Sequence, residues 1–283
     1  MDGRKNERRR RRRRRRDAGR DLCSGPGDAG PLAEPAAGSA CGQPRHAPAA
    51  AAAAPTPTPD LQIVFNIGAQ TDYSFRGISQ TNQRASAFGG ADLTYKGQYY
   101  AGVWTSNVDF TGNSSAGPDE EVDVYAGWRP TFQGYNLDFG VQYYGYVNQP
   151  APGGIDYTEV YAKGSRSIGP LTLGLSYYYG FNYGGTAKDG YYVEGNGAYT
   201  INPKWTVSGA VGYQKQTDAF YGGKKQDFDY TTWNLGVTYA ITDKIALDVR
   251  YWDTDDHKKI ESFMGLSGVG DARVIAGVKA TFP

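Results

Sequence analysis

From residue 61 onward, apolar and polar residues alternate with a period of two. In QIVFNIGAQTDYSFRGISQT (62–81), Ile63, Phe65, Ile67, Ala69, Thr71, Tyr73 and Phe75 share one face. Gln62, Val64, Asn66, Gly68, Gln70, Asp72, Ser74 and Arg76 share the other. Side chains on a strand point alternately to opposite faces, so the pattern predicts one strand over 62–76. That is well beyond the usual strand of about five or six residues.

The pattern recurs to the end of the chain. A second strand is expected at about 84–95, with Ala85, Ala87, Ala91, Leu93 and Tyr95 on one face. A third follows at QYYAGVWTSNVDF. The fourth sets Val122, Val124, Ala126 and Trp128 against Glu121, Asp123 and Tyr125. The fifth sets Leu137, Phe139, Val141 and Tyr143 against Asn136, Asp138, Gly140 and Gln142. A sixth lies at DYTEVYAKGSRS, a seventh at LTLGLSYYY and an eighth at GYYVEGNGAYTI. The ninth to twelfth carry Trp205, Val207, Val211 and Tyr213, then Trp233, Leu235, Val237 and Tyr239, then Ile245, Leu247, Val249 and Tyr251, then Ala272, Val274, Ala276, Val278 and Phe282 on their apolar faces. In strands 2, 3, 6 and 8 the alternation is broken and both facings stay open. For strand 6 the pattern favours Thr158, Val160 and Ala162 outward, which turns Glu159 and Lys163 inward.

The predicted connections are long after odd strands and short after even ones. Long polar stretches lie at about 215–227 and 253–270. A soluble sandwich has no reason to sort its loops this way. A membrane barrel has, with short periplasmic turns at one rim and long extracellular loops at the other. Tyr73, Tyr95, Tyr143, Tyr213, Tyr239 and Tyr251 fall near strand ends, where interfacial girdles are expected. The fold expected is all-β: a transmembrane, antiparallel, up-and-down β-barrel of twelve strands over 61–283. Lipid would meet the apolar face and water the polar one.

Composition agrees. No stretch approaches the ~20 apolar residues of a membrane helix. The mean hydropathy of −0.59 suits strands that are polar on one side. Residues 1–60 differ, with 13 Lys/Arg against 7 Asp/Glu; residues 61–283 hold 17 against 22, and the balances of +6 and −5 sum to +1. The first segment is rich in Arg, Ala, Pro and Gly, too poor in apolar side chains to fold, and is expected to be disordered. The run Arg8–Arg16 raises nucleic-acid binding, but a mis-assigned start is the preferred reading and no nucleic-acid partner is expected. Ala49–Ala54 resembles the end of an export signal, placing the true start elsewhere. Both cysteines, Cys23 and Cys41, precede the barrel, so no disulfide scaffold supports it.

DYSFRGISQT (72–81), YYAGVWTSNVDF (99–110), TEVYA (158–162) and ALDVRYWDTD (246–255) together resemble the TorF-like porins of proteobacterial outer membranes. The resemblance covers about 61–283. It implies export to the bacterial outer membrane and a channel-like role. The partners expected are outer-membrane lipid and lipopolysaccharide, the barrel-assembly machinery, and small solutes or ions. The chain departs from barrels that end on an aromatic residue, because Pro283 follows Phe282.

Candidate chemistry is sparse. His257 in a polar loop is a poor basis for a nucleophile–histidine arrangement, so no catalytic residue and no enzyme activity are expected. Asp253, Asp255, Asp256 and His257 lack calcium-loop spacing, and GGTAKDG lacks that of a phosphate loop; no metal or cofactor is expected. Asp119, Glu120, Glu121 and Asp123 read as rim charges or an acidic collar. The functional candidates are the inward side chains Asp72, Arg76, Asp92, Glu121, Asp123, Asp138, Asn234, Asp248, Arg250, Arg273 and Lys279, because charge in a pore sets ion preference. Opposite charges pairing across the lumen and plugging it is the competing reading. Inward glycines (Gly68, Gly90, Gly140, Gly174, Gly236, Gly277) leave room for water or for bulky neighbours. The expected function is passive diffusion; the alternative is a closed barrel acting through its outer loops.

Overall fold

The computed structural model describes residues 60–112, 117–149, 154–185 and 187–283. The expectation for the first segment lies outside them. Twelve long strands form the wall. They are β1 (Leu61–Gln70), β2 (Ser86–Tyr95), β3 (Tyr99–Asn107) and β4 (Glu120–Trp128). Next come β5 (Tyr135–Val147), β6 (Tyr157–Ile168), β7 (Leu171–Phe181) and β8 (Asp189–Asn202). Last are β9 (Trp205–Tyr221), β10 (Lys224–Ala240), β11 (Ile245–Thr254) and β12 (Arg273–Phe282).

Each strand pairs antiparallel with its neighbours in sequence, and β12 returns to β1 through Phe65↔Phe282 to Gln70↔Gly277. Closure matters because lipid offers no hydrogen bonds to an open edge. With ~4.8 Å between strands and a tilt of ~40°, twelve strands enclose a backbone circle roughly 24 Å across.

The outer face is apolar. Leu173, Leu175, Val211, Leu235, Val249 and Val274 are all at least half exposed. Between the two aromatic belts, the outward positions of the described residues carry no charge. One belt includes Tyr95, Tyr99, Trp128, Trp205 and Tyr239, the other Tyr143, Tyr177, Tyr213 and Tyr251. Arg166 lies on the outward face at the first belt, its guanidinium over the Tyr135 ring and donating to Tyr135 Oη at 3.0 Å. That placement lets the charge reach the headgroups.

Four expectations need correction. The first strand ends at Gln70, not Arg76. Residues 71–85 turn into the barrel, and Tyr73 is fully buried inside it rather than standing in a girdle. The stretch 215–227 is no loop: β9 and β10 run on as a hairpin through Gly222-Gly223, both with positive φ. The last long loop contains a helix, α1 (His257–Met264), capped by Asp256, which accepts from the Lys259 backbone N–H, and stopped by left-handed Gly265. It buries Ile260 and stacks Phe263 on Phe228 at 4.2 Å between ring centroids. Burial works against the charge of Lys259, but Asp229 and Asp256 outweigh it and hold the ammonium pKa above its ordinary value.

Candidate functional site: the lumenal constriction

The segment that leaves β1 makes a small hairpin of its own. Ser74 pairs with Ser79 and Phe75 with Ile78 around the two-residue turn Arg76-Gly77. Both turn residues have positive φ, 51° and 87°. Two left-handed residues give the turn whose twist suits a tight hairpin, usually Asn-Gly; an arginine at its first position carries a steric cost. The second position must be glycine here, because a Cβ on Gly77 would sit 2.3 Å from Thr232 Oγ1 on β10.

From that tip Arg76 crosses to the opposite wall. Its guanidinium donates to both Glu159 oxygens (2.9 and 2.8 Å), to Tyr183 Oη at 2.8 Å and to Gln214 Oε1 at 2.9 Å. It lies over the rings of Phe75, Tyr178 and Tyr192 at 4.4–4.9 Å. Tyr144 Oη donates to the same carboxylate at 2.9 Å. A two-bond arginine–carboxylate pair fixes geometry as well as charge. Arg76 Nε is buried with no hydrogen-bond partner.

The rest of the segment is tied down by polar side chains. Asp72 accepts from Ser79 (2.6 Å), Thr81 (2.8 Å) and Arg273 (2.8 Å). Tyr73 Oη donates to Glu121 at 2.7 Å. Asp123, on the same face of β4, accepts from Gln142 at 2.9 Å and is fully buried.

Below this layer the lumenal tyrosines lie flat on glycines. Tyr100 faces Gly127, Gly127 faces Gly140, and Gly140 faces Tyr161 across β3 to β6. A Cβ on Gly127 or Gly140 would enter the ring of the adjacent tyrosine at 2.3–2.4 Å. The two phenols meet head to head, and Tyr100 also donates to Asp138 at 2.6 Å. The inward glycines therefore make room for side chains rather than for water: Phe88 at Gly68, Asn196 at Gly174 and Arg250 at Gly236 as well.

All eleven candidate side chains point into the barrel, in two groups. Asp72, Arg76, Glu121, Asp123, Asp138, Asn234 and Arg250 are buried in the packed layer. Asp92, Asp248, Arg273 and Lys279 keep contact with the lumenal space. Tyr125 donates to Asp92 at 2.5 Å. Arg250 bridges Asp248 (3.1 Å), Asn234 (2.8 Å) and Ser208 (2.9 Å). Arg129 approaches Asp138 at 3.4 Å. Among the described residues, four opposite-charge pairs thus form inside: Arg76–Glu159, Arg273–Asp72, Arg250–Asp248 and Arg129–Asp138. The sequence reading missed the tyrosine layer. Its signal was the inward parity of Tyr100, Tyr161, Tyr178 and Tyr192, each flanked by outward residues.

Closed barrel, apolar belt and polar interior define a porin-type fold. The KdgM porin shares it at a TM-score of 0.52 with 13% identity, over 78% of this chain and 99% of that one. The KdgM porin in complex with disordered oligogalacturonate aligns likewise, at 0.52 and 14%, over 78% and 99%. The COG4313 outer membrane channel from Pseudomonas putida F1 aligns at 0.49 and 11%, over 80% and 96%. No curated protein matches the chain in sequence. The chain belongs to the family Gcw_chp, described as a bacterial protein of unknown function, which matches residues 52–282. That match carries this description and not the TorF-like one expected from the motifs.

Proposed function

We propose that this protein is a porin-like channel of the bacterial outer membrane, passing ions or small hydrophilic solutes by passive diffusion. One observation carries the reading: a closed twelve-stranded wall, uncharged across its outer belt, encloses a lumen lined with charge, amide and phenol. Nothing but a hydrocarbon exterior and an aqueous interior rewards that distribution. The TorF-like motifs and the KdgM-type fold support the same class. Outer-membrane lipid, lipopolysaccharide and the assembly machinery are the partners this location supplies. The lining we assign to the water-filled part is Asp92, Asp248, Arg273 and Lys279, with the buried charges shaping the narrow part. Catalysis has no place in the reading.

The test is the conductance of the purified full chain in a planar bilayer. Steps of stable size support the channel. A second reading, a closed barrel acting through its outer loops, is favoured by the burial of Arg76 on the lumen side. Silence at every voltage, from protein shown to be folded, would favour that second reading.

A further inference from the structure

We propose that the hairpin at 71–85 is a hinged gate, shut in this structure, that leaves the lumen to open the channel, with Arg76–Glu159 as its latch. The proposal rests on the channel reading above and says which element controls passage.

The hairpin bars the way. Asp72, Tyr73, Arg76, Ile78, Ser79, Gln80 and Thr81 are all buried within the barrel. Its root continues β1, its tip rests against Thr232 of β10, and Arg76 reaches Glu159 on β6 and Gln214 on β9. One segment and its longest side chain therefore span the cross-section.

The hairpin is nevertheless no part of the wall. Its short strands pair only with each other. Among the described residues, its backbone-to-backbone bonds to the rest of the protein are Thr71 N–H to Ala276 O at the root, Ser79 N–H to Val269 O, and Asp109 N–H to Gln80 O. The last two go to mouth loops and not to strands. The other attachments are polar side chains, whose partners water can replace when the hairpin swings out, and three apolar contacts that hold it shut: Tyr73 on Trp104, Phe75 on Tyr144, and Ile78 in the cluster with Ile260 and Val269.

The closed position also carries local costs. Arg76 holds a left-handed backbone, and Asn82 and Gln83 on the return arm do so consecutively, at φ 51° and 62°. Arg76 Nε and Ser74 Oγ are buried without hydrogen bonds. Strained backbone and orphaned polar atoms in one short element mark a segment held by its surroundings and poised between states. The consecutive left-handed residues at 82–83, beside the junction with β2, form the hinge on that arm.

The test uses the full chain in a Cys23→Ser/Cys41→Ser background. A Cβ at position 77 lies 3.0 Å from Thr232 Cβ, so Gly77→Cys with Thr232→Cys brings two thiols within bonding reach after a small shift. Oxidised, this protein should be silent in a planar bilayer; a reducing agent should restore openings at least tenfold. Equal conductance before and after reduction, with the bond proven by mass spectrometry, overturns the gate and leaves the channel reading standing. Because a cysteine at φ 87° is strained, Glu159→Gln is a second probe. It keeps the shape and removes the charge of the latch. It should raise open probability at least tenfold over the parent, including from a parent that rarely opens. An unchanged open probability overturns the latch. Silence of both parent and Glu159→Gln, each folded by heat-modifiable migration, overturns channel and gate together.

Discussion

Leu235→Arg tests the assignment of the outer face most directly. Leu235 is 62% exposed and pairs with Gly209 on one side and Tyr251 on the other. It lies six residues from Ile241, in the turn that follows β10. At ~3.3 Å per residue and a tilt of ~40°, that is about 15 Å above the rim, half the height of a ~30 Å hydrocarbon core. A cation there costs roughly 2–4 kcal/mol, a ~30- to 1,000-fold fall in the folding constant. Val237→Arg, two residues nearer the turn, moves about 5 Å toward the headgroups and should cost less. Reversible urea unfolding in lipid vesicles, followed by tryptophan fluorescence, measures both. Equal costs below about 0.5 kcal/mol, the range of ordinary surface changes, would refute a hydrocarbon-facing belt. The sequence pattern also suggests that Asn234→Arg is tolerated as a lumenal change. The structure reverses this, because Arg250 donates to Asn234 Oδ1 at 2.8 Å and a second guanidinium would face the first.

Two further outcomes follow from the packing. Gly140→Ala should destabilise the barrel by about 1–3 kcal/mol, since the new Cβ overlaps the Tyr161 ring; adding Tyr161→Ala should remove that overlap, and a double-mutant cycle in urea reads the coupling. Asp256→Ala should loosen α1 by about 1 kcal/mol through loss of its cap, seen as faster amide exchange at 257–264 with unchanged exchange in β5.

The wall was legible because lipid and water enforce opposite chemistry on alternate residues. Val124, Leu235, Leu247 and Val274 read as outward from sequence and are outward in the structure. Strand 6 also faces as the pattern favoured, with Glu159 and Tyr161 inward. The hairpin at 71–85 was hidden because it is extended itself, so alternation ran past the end of β1 unbroken. Tyr73 and Phe75 looked lipid-facing for the same reason, although their apolar surroundings are the rings of Trp104 and Tyr144. The one local signal was Gly77 after Arg76, a two-residue turn between Phe75 and Ile78. The extension of β9 and β10 escaped because beyond the membrane both faces meet water, and a strand there has no reason to alternate. Helix α1 left fuller signs: Asp256 before it, Ile260, Phe263 and Met264 on one side, Gly265 after it.

The tyrosines resting on glycines bear on how the chain finds its own alignment. A polar inner face discriminates poorly between pairings that differ by two residues, because either partner is hydrophilic. Tyr161 opposite Gly140 does discriminate: displaced by two, the ring would land on Asp138 or Gln142 instead of bare backbone. Each such pair works as a notch that accepts one neighbour in one position, and a run of them along β3 to β6 lets successive hairpins index correctly as the cylinder closes.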